Sequence, residues 1–164
     1  MNGLRLEPWS EDDLWLLRRS NEPEMTAYLG GPEPEEKLLA RHRRYLDPRG
    51  QGQMFRVELD GTVAGLIGYW ERAWRGGLVW ETGWAVLPEC QGLGVAVRAA
   101  RAVASRARGE GRHRYLHAFP KPEHVASNAV CRKAGFELLG TVDFEYPPGH
   151  PIISHDWRRD LAET

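Results

Sequence analysis

The sequence predicts an α/β protein built on a mixed β-sheet, and three observations support this prediction. The run from Trp80 to Val86 alternates bulky apolar side chains with smaller or polar ones, which is the period of a half-buried strand, and a glycine-containing turn and a helix follow it. Asp60-Gly61 is a strong hairpin signal between two further runs, which indicates antiparallel strands. A short strand at 115–119 follows a helix, and such a crossover requires it to lie parallel to the strand at 78–86.

Seven strands and four helices are expected along the chain. The strands are predicted at residues 4–9, 53–59, 63–70, 78–86, 115–119, 136–142 and 152–161, with a linker at 72–77 and a Pro/Gly loop at 147–151. The helices are predicted from Ser10 to about Asn21, from Pro34 to about Leu46, from Gly94 to about Ala107 and from Val125 to Ala134.

Capping residues support the first and last of these helices. Ser10 can accept a backbone N–H at the start of the first helix, and three acidic residues follow it at the positive end of the helix dipole. The side chains of Leu14, Trp15 and Leu17 are expected to face the core. Gly135 is expected to end the last helix at the C′ position, where a left-handed backbone is common.

Length and composition indicate one soluble globular domain over residues 1–164. Hydrophobic residues make up 41% of the chain and charged residues 27%, and the net charge of −1 gives no general attraction to nucleic acid or to an anionic membrane. No stretch approaches the roughly 20 apolar residues of a membrane span, and the N-terminus does not resemble a signal peptide. Cys90 and Cys131 are the only cysteines and lack metal-ligand spacing, so we expect a cytoplasmic protein without a bound metal.

The turn Gln91-Gly92-Leu93-Gly94-Val95-Ala96, called the glycine turn below, is a candidate anion site. Glycines let the backbone approach a ligand, and the unpaired N–H groups of the first helical turn favour a phosphate. A P-loop would need a lysine followed by serine or threonine, and no lysine lies nearby. A dinucleotide-binding fingerprint would need a third glycine near Val97 and an acidic residue about 20 residues later, and neither is present. Taken alone, the six residues are equally compatible with an ordinary strand–turn–helix.

With its flanks, the glycine turn resembles the acyl-coenzyme A pyrophosphate loop of the GNAT N-acetyltransferase superfamily. The similarity consists of Gln91-x-x-Gly94-x-Ala96 after a strand that ends in Val86-x-Pro88.

A second similarity to the same family lies downstream. Gly135-Phe136 and Gly140 match its C-terminal motif. Ser127-Asn128 and the ending Trp157 to Leu161 are similar to the branch that contains ribosomal-protein and other amine N-acetyltransferases. The resemblance therefore spans nearly the whole chain.

This resemblance implies an acetyl-CoA-dependent N-acetyltransferase with the GNAT fold, in which a mixed seven-stranded sheet has a splay between two parallel strands and about four flanking helices. Acetyl-CoA is the implied co-substrate, and no metal is implied. The implied acceptor is a primary amine of a protein N-terminus or of a small molecule, which attacks directly in a ternary complex. The residues implied to bind the cofactor are Trp84, Ala85, Val86, Gln91, Gly92, Leu93, Gly94, Val95, Ala96, His124 and Asn128.

In the same family, the segment between the first two helices helps to form the acceptor site. Here that segment contains Met25, Tyr28 and Leu29, for which helix packing is the simpler explanation.

Two residues depart from the family pattern. Counted from Gly135, His124 stands where the family usually has asparagine, and Cys131 stands where many members have a tyrosine that protonates the departing thiolate. Cys131 is a candidate for that catalytic role, and Ser127 or Asn128 could hydrogen-bond the sulfur instead. A small core residue is the simpler interpretation of Cys131.

Glu81 is the candidate general base. Strand alternation places Glu81, Gly83 and Ala85 on one face, and the small neighbours leave room beside the carboxylate. A glutamate on a solvated face is the alternative interpretation. His117 on the neighbouring strand is the second candidate, although a core histidine with satisfied hydrogen bonds is a simpler explanation of it.

Two other functions are compatible with the sequence. A catalytically silent acyl-CoA sensor would keep the fold and lack the tyrosine, and turnover of any amine would separate the enzyme from the sensor. A nucleic-acid-binding protein could use the arginines that recur at helical spacing, but the near-neutral charge and the lack of interleaved aromatic residues disfavour it. The oligomeric state stays open, with a homodimer as one alternative.

Overall fold

Seven strands form one mixed sheet in the computed structural model of the chain, which describes residues 3–146 and 148–163. Their order is β1-β2-β3-β4-β5-β7-β6, and all neighbours are antiparallel except β4 and β5. The strands are β1 Leu4–Pro8, β2 Gly52–Leu59, β3 Thr62–Trp74, β4 Gly77–Val86, β5 Tyr115–Ala118, β6 Glu137–Glu145 and β7 Pro151–Asp160. The predicted mixed sheet is confirmed, and Pro147 of the predicted loop lies outside the described residues.

Within residues 3–146 and 148–163, four α-helices accompany the sheet. They are α1 Leu14–Ser20, α2 Glu35–Leu46, α3 Val95–Glu110 and α4 Val125–Lys133. No helix in the described part of the chain combines the length and the apolar character needed to cross a membrane.

The predicted caps at Ser10 and Gly135 are confirmed, α3 runs to Glu110 and not to about Ala107, and one predicted core residue is wrong. Ser10 and Asp13 form a reciprocal capping box. Gly135, with a φ of 91°, ends α4 in the two-hydrogen-bond arrangement of a Schellman motif. The side chain of Trp15 is 42% exposed, and Leu16 is buried in its place. The cause is the 3₁₀ turn Glu11–Asp13, whose tighter winding changes the phase at which α1 begins.

The predicted linker at 72–77 is mostly strand. β3 continues to Trp74 and β4 begins at Gly77, so the connection consists of Arg75 and Gly76 alone, with φ angles of 48° and 82°. Two left-handed residues in a two-residue loop make a turn of the primed type, whose twist matches that of paired strands. The longer β3 places Arg72 in the sheet.

The two faces of the sheet bury different clusters. α3 and α4 pack on one face, where Trp80 and Leu116 are fully buried. α1 packs on the other face, against residues such as Leu66. Alternate residues of a strand point to opposite faces, so Glu81 and His117 lie on the α1 face.

β4 and β5 separate after two paired positions. The last pair joins Glu81 to His117, whereas β4 continues to Val86. β5 instead pairs with β7 along its whole length, and beyond it the Pro120 carbonyl accepts the backbone N–H of His155 at 2.9 Å. β5 therefore follows β7 away from β4. The resulting opening beside residues 82–86, called the strand gap below, confirms the predicted splay.

Candidate active site

The glycine turn follows the end of β4, where the strand gap is open. The side-chain amide of Gln91 donates to the Val86 carbonyl at 3.0 Å and ties the turn to the strand. Gly92 and Gly94 have φ angles of 78° and 76°, in the left-handed region that favours glycine. A Cβ atom built on either glycine would meet no described atom within 4 Å, so the space above both is open.

The start of α3 provides backbone donors beside this open space. Gly94 is the N-cap residue, and no side chain caps the helix there. The first N–H groups of an α-helix have no partner within the helix, and the helix dipole adds partial positive charge at this end. These residues therefore fit a diphosphate such as that of coenzyme A.

The other predicted residues of the turn differ in what they can offer a ligand. Leu93 is 56% exposed, and Ala96 is half-buried. The side chain of Val95 is buried in the core, so only its backbone can contact a ligand.

The predicted residues of β4 line the strand gap with their backbone. Trp84 and Val86 pack against the core of the α3 face, and Ala85 packs on the opposite face. Among the described residues, no strand pairs with this stretch on its β5 side. Its backbone groups on that side can therefore bond an extended ligand, as a free strand edge does.

Glu81 is buried where the strand gap begins. Its carboxylate contacts the guanidinium of Arg72 on β3. Burial raises the pKa of Glu81, and the charge of Arg72 and hydrogen bonding from Trp70 oppose part of that rise. The guanidinium in turn lies 4.4 Å from the ring centroid of Phe144. Glu81 is thus a buried carboxylate paired with a partly exposed arginine, and the solvated-face interpretation is wrong.

His117, opposite Glu81, is held by a second carboxylate. Its Nδ1 lies 2.6 Å from Oδ1 of Asp156 on β7, and both side chains are buried. The indole N–H of Trp74 donates to the other oxygen of Asp156 at 3.3 Å. The ring of Phe119 stacks on the imidazole, with centroids 5.6 Å apart and planes inclined by 12°.

The sequence does not indicate Arg72 or Asp156 as site residues. Arg72 falls in the predicted linker, and only the unexpected length of β3 brings it to Glu81. Asp156 reaches His117 because β7 inserts between β5 and β6. Alternation along the last strand does show which of its residues share a face, but not which strand lies beside it.

α4 begins beside a pair of stacked rings. The imidazole of His124, the N-cap residue of α4, lies on the phenol ring of Tyr28 with centroids 4.2 Å apart. Oγ of Ser127 lies 3.3 Å from Nε2 of His124. Burial lowers the pKa of His124, which favours its neutral form. The predicted residues His124 and Ser127 therefore lie together, in contact with the segment between α1 and α2.

Asn128 has a structural role. Its side-chain NH₂ donates to the carbonyls of Lys121 and His124, at 3.0 and 2.8 Å. Its oxygen lies 2.7 Å from both Nδ1 of His155 and the indole nitrogen of Trp157. All hydrogen-bonding positions of the amide are thus used within the protein. The side chain fixes the start of α4 against β7 and has none left for the cofactor, contrary to the prediction.

Cys131 does not lie at a reaction site. Its side chain is fully buried in the core of the α3 face, and burial raises the pKa of the thiol to about 12. A thiol that is both inaccessible and hard to ionise can neither reach nor exchange a proton with a departing thiolate. The prediction of a catalytic Cys131 is wrong, and the core interpretation is confirmed.

A cavity of about 160 Å³ lies between α1, the following segment and α2. Leu29 and Tyr146 are among the residues that line it. Ser20 also lines the cavity, and its Oγ is buried without a hydrogen-bond partner among the described residues. The segment that carries Tyr28 therefore contributes both to this cavity and to the contact with α4.

No metal centre is present among the described residues. Over 3–146 and 148–163, no three His, Cys, Asp or Glu side chains come together in an arrangement that could hold an ion.

Comparisons with known proteins bear on the fold. A family model described as an acetyltransferase (GNAT) domain matches residues 3–137. The structure of a GNAT-family acetyltransferase from Bacillus anthracis is 20% identical, covers 98% of this chain and 96% of that chain, and has a TM-score of 0.78. The structure of a Salmonella typhimurium acetyltransferase that modifies the N-terminal serine of ribosomal protein L7/L12 is 19% identical, covers 96% and 94%, and has a TM-score of 0.77.

A third solved structure contains the cofactor. Aminoglycoside acetyltransferase AAC(6')-Ib in complex with coenzyme A is 20% identical, covers 98% of this chain and 95% of that chain, and has a TM-score of 0.73. A comparison with curated protein sequences finds no match.

Proposed function

The chain belongs to the GNAT acetyltransferase family, and on this premise we propose that it moves an acetyl group from acetyl-CoA to a primary amine of a protein N-terminus or of a small molecule. One observation carries the proposal. The parallel strands part at Glu81 and His117, and the free edge of β4 leads directly to a glycine turn with open space above it. A thioester carrier needs both features, one for its extended arm and one for its diphosphate.

Each part of the cofactor has residues that fit it. The diphosphate is held by backbone donors between Gly92 and Ala96, with Gln91 fixing the turn. The pantetheine arm pairs with the backbone of residues 84–86 in the strand gap. Acetyl-CoA supplies an activated acetyl group, and the backbone N–H near Val86 polarises its carbonyl.

The acceptor approaches from the α1 face of the sheet. The segment with Tyr28 and Leu29 forms one wall there, and the cavity beside Leu29 has room for part of an acceptor. The relatives with named acceptors modify the N-terminal serine of a ribosomal protein or an aminoglycoside. Both acceptors carry amines, which is the chemical class that we propose for this protein.

Three chemical requirements follow for the transfer. The amine must be neutral and held in place, the developing oxyanion must be stabilised, and the thiolate must receive a proton. Glu81 and His117 are the titratable groups at the point where the strands part. Ser127, hydrogen-bonded to His124, is the candidate donor to the thiolate, since Cys131 is enclosed in the core.

The proposed setting is the cytoplasm. Both cysteines are free and buried, which fits a reducing compartment. The oligomeric state, including the homodimer, stays an open proposal.

The experiment is an acceptor screen with the purified protein. Acetyl-CoA is incubated with amines of several classes, including peptides with free N-termini, polyamines and aminoglycosides, and released thiol is measured. We expect amine-dependent thiol release, and reactions without amine provide the control. Binding of acetyl-CoA without release for any amine would contradict the enzyme and favour the sensor.

A further inference from the structure

We infer that the proton of the attacking amine passes to Nε2 of His117, a base oriented by Asp156, while Glu81 is held out of this role by Arg72. The inference rests on the proposed function, because it names the proton acceptor of the same reaction.

Hydrogen-bond chemistry determines which nitrogen of His117 carries the proton. Asp156 contacts Nδ1 through one oxygen, at 2.6 Å, and accepts the Trp74 indole N–H through the other, at 3.3 Å. An ionised carboxylate can only accept, so the hydrogen of the short contact belongs to Nδ1. Nε2 therefore carries the lone pair and is the nitrogen that can take up a proton.

The position of His117 suits an acceptor amine. It stands opposite Glu81 at the last pair before β4 and β5 separate, on the face of the sheet away from α3. The glycine turn leads into α3, so the cofactor and the acceptor reach the strand gap from different sides. In the proposed complex the amine enters from the α1 face and meets His117, which is only 3% exposed in the free protein.

Glu81 is the less suitable base because its carboxylate is already paired. The guanidinium of Arg72 contacts it and is itself held over two aromatic rings, 4.4 Å from the centroid of Phe144 and 5.8 Å from that of Phe119. To accept a proton, Glu81 would have to give up a charge-assisted contact in a buried site.

The charged side chains near His117 come from neighbouring strands. Asp156 touches the ring from β7, and Glu81 stands opposite His117 on β4. Arg158, opposite His117 on β7, lies over the ring of Tyr115 at 4.2 Å. Arg72 on β3 is paired with the Glu81 carboxylate.

The acetyl transfer exchanges a carbon–sulfur bond for a carbon–nitrogen bond. The ammonium group of the acceptor gives one proton to Nε2, and the neutral nitrogen forms a bond to the acetyl carbon. The carbon–sulfur bond breaks, and the sulfur leaves with the bonding electron pair. The sulfur takes a proton from Ser127, Ser127 takes the second proton that the nitrogen releases, and His117 returns the first proton to solvent. Asp156 acts as a positioning residue throughout.

The first test uses the protein without any ligand. The ring nitrogens of ¹⁵N-labelled histidines are observed by long-range ¹H–¹⁵N NMR correlation in the wild-type protein and in Asp156→Asn. We expect the neutral ring of His117 to carry its hydrogen on Nδ1 in the wild type, and Asp156→Asn to remove this preference. A neutral ring with hydrogen on Nε2 would overturn the inference.

The second test compares two histidine variants, His117→Gln and His113→Gln. His113 also contacts a carboxylate, that of Glu71, but lies outside the proposed site and serves as the matched control. We expect His117→Gln to lower kcat for an alkyl amine by about 100-fold or more, as loss of a general base does. Acetyl-CoA affinity should be unchanged, which shows that the variant is folded, and His113→Gln should match the wild type.

An alkoxyamine acceptor separates a base from a structural residue. Its nitrogen is already neutral near neutral pH, so a variant without the base should lose much less rate with it than with the alkyl amine. A wild-type kcat and pH profile in His117→Gln would overturn the inference and leave the proposed function standing. Failure of the wild-type protein to acetylate any amine would overturn the function itself.

Discussion

The phenol ring of Tyr28 lies flat on the imidazole of His124, with centroids 4.2 Å apart and planes inclined by 11°. Tyr28 belongs to the segment between α1 and α2, and His124 begins α4. The stack therefore joins the proposed acceptor wall to the proposed cofactor site.

Removing this stack should weaken cofactor binding. A stacked pair contributes about 1 kcal/mol, so Tyr28→Ala is expected to raise the Kd for acetyl-CoA about fivefold. Tyr28→Phe keeps the ring and should bind like the wild type. Calorimetric titration measures both variants, and an unchanged Kd in Tyr28→Ala would show that the stack does not position His124.

A carboxylate at Gly94 should prevent diphosphate binding. Gly94→Glu adds a negative charge in the open space above the start of α3 and should weaken acetyl-CoA affinity at least about 30-fold, or about 2 kcal/mol. Gly94→Asn is the control, because asparagine tolerates the left-handed backbone and adds no charge. Similar affinity losses in the two variants would assign the effect to backbone strain, and wild-type affinity in Gly94→Glu would contradict the site.

The partner of Glu81 should matter for stability. Arg72→Met leaves a buried carboxylate without its cation, and we expect a loss of about 2–3 kcal/mol in the free energy of unfolding by urea. Adding Glu81→Gln to Arg72→Met should recover most of this loss. A double variant no more stable than Arg72→Met would show that the uncompensated charge is not the cause.

The pH dependence of Arg72→Met provides a separate check. Burial raises the pKa of folded Glu81 above its ordinary value of 4.5, and Arg72 opposes that rise. At pH values between the pKa of Glu81 in the unfolded chain and its raised pKa in the folded chain, the folded chain binds more protons than the unfolded chain. The contribution of Glu81 to stability therefore falls as pH rises. Without Arg72 the pH range between the folded and unfolded pKa values of Glu81 widens. As pH is lowered from neutrality, Glu81 loses its uncompensated charge, and the stability of Arg72→Met should approach that of the wild type. A difference between the two proteins that stays constant with pH would contradict this account.

Cys131 should be dispensable for catalysis. Cys131→Ala removes a core sulfur and is expected to cost about 1–2 kcal/mol of stability while kcat stays at the wild-type value. Unfolding curves and amine-dependent thiol release measure the two effects. A large fall in kcat in the folded variant would restore Cys131 as a catalytic residue.

Most of the fold could be predicted from the sequence, because the signals for its strands, turns and helix ends agree with one another. The capping box at Ser10, the turn at Asp60-Gly61 and the Schellman glycine Gly135 each specify a local conformation that the structure shows. The arginine-glycine turn at 75–76 was harder to recognise, because arginine is uncommon in a left-handed conformation.

The candidate site was less visible because it depends on contacts between distant strands. Residues within one segment, such as the glycine turn, can be recognised from their spacing. The contact between His117 and Asp156 depends on β7 lying next to β5, and that of Glu81 with Arg72 depends on the length of a hairpin. Neither contact can be recognised from the residues that lie close together in the sequence. Cys131 illustrates the opposite problem. Its spacing from Gly135 placed it where many family members have a catalytic tyrosine, but spacing does not show how deeply a side chain is buried.

The central claim is that the glycine turn and the free edge of β4 together hold the cofactor, and an NMR titration tests it most directly. Coenzyme A is added to ¹⁵N-labelled protein while the backbone amide signals are followed. We predict that the largest shifts fall on residues 92–97 and 82–86, and that Gly94→Glu abolishes them. Coenzyme A binding that leaves both stretches unshifted would contradict the claim.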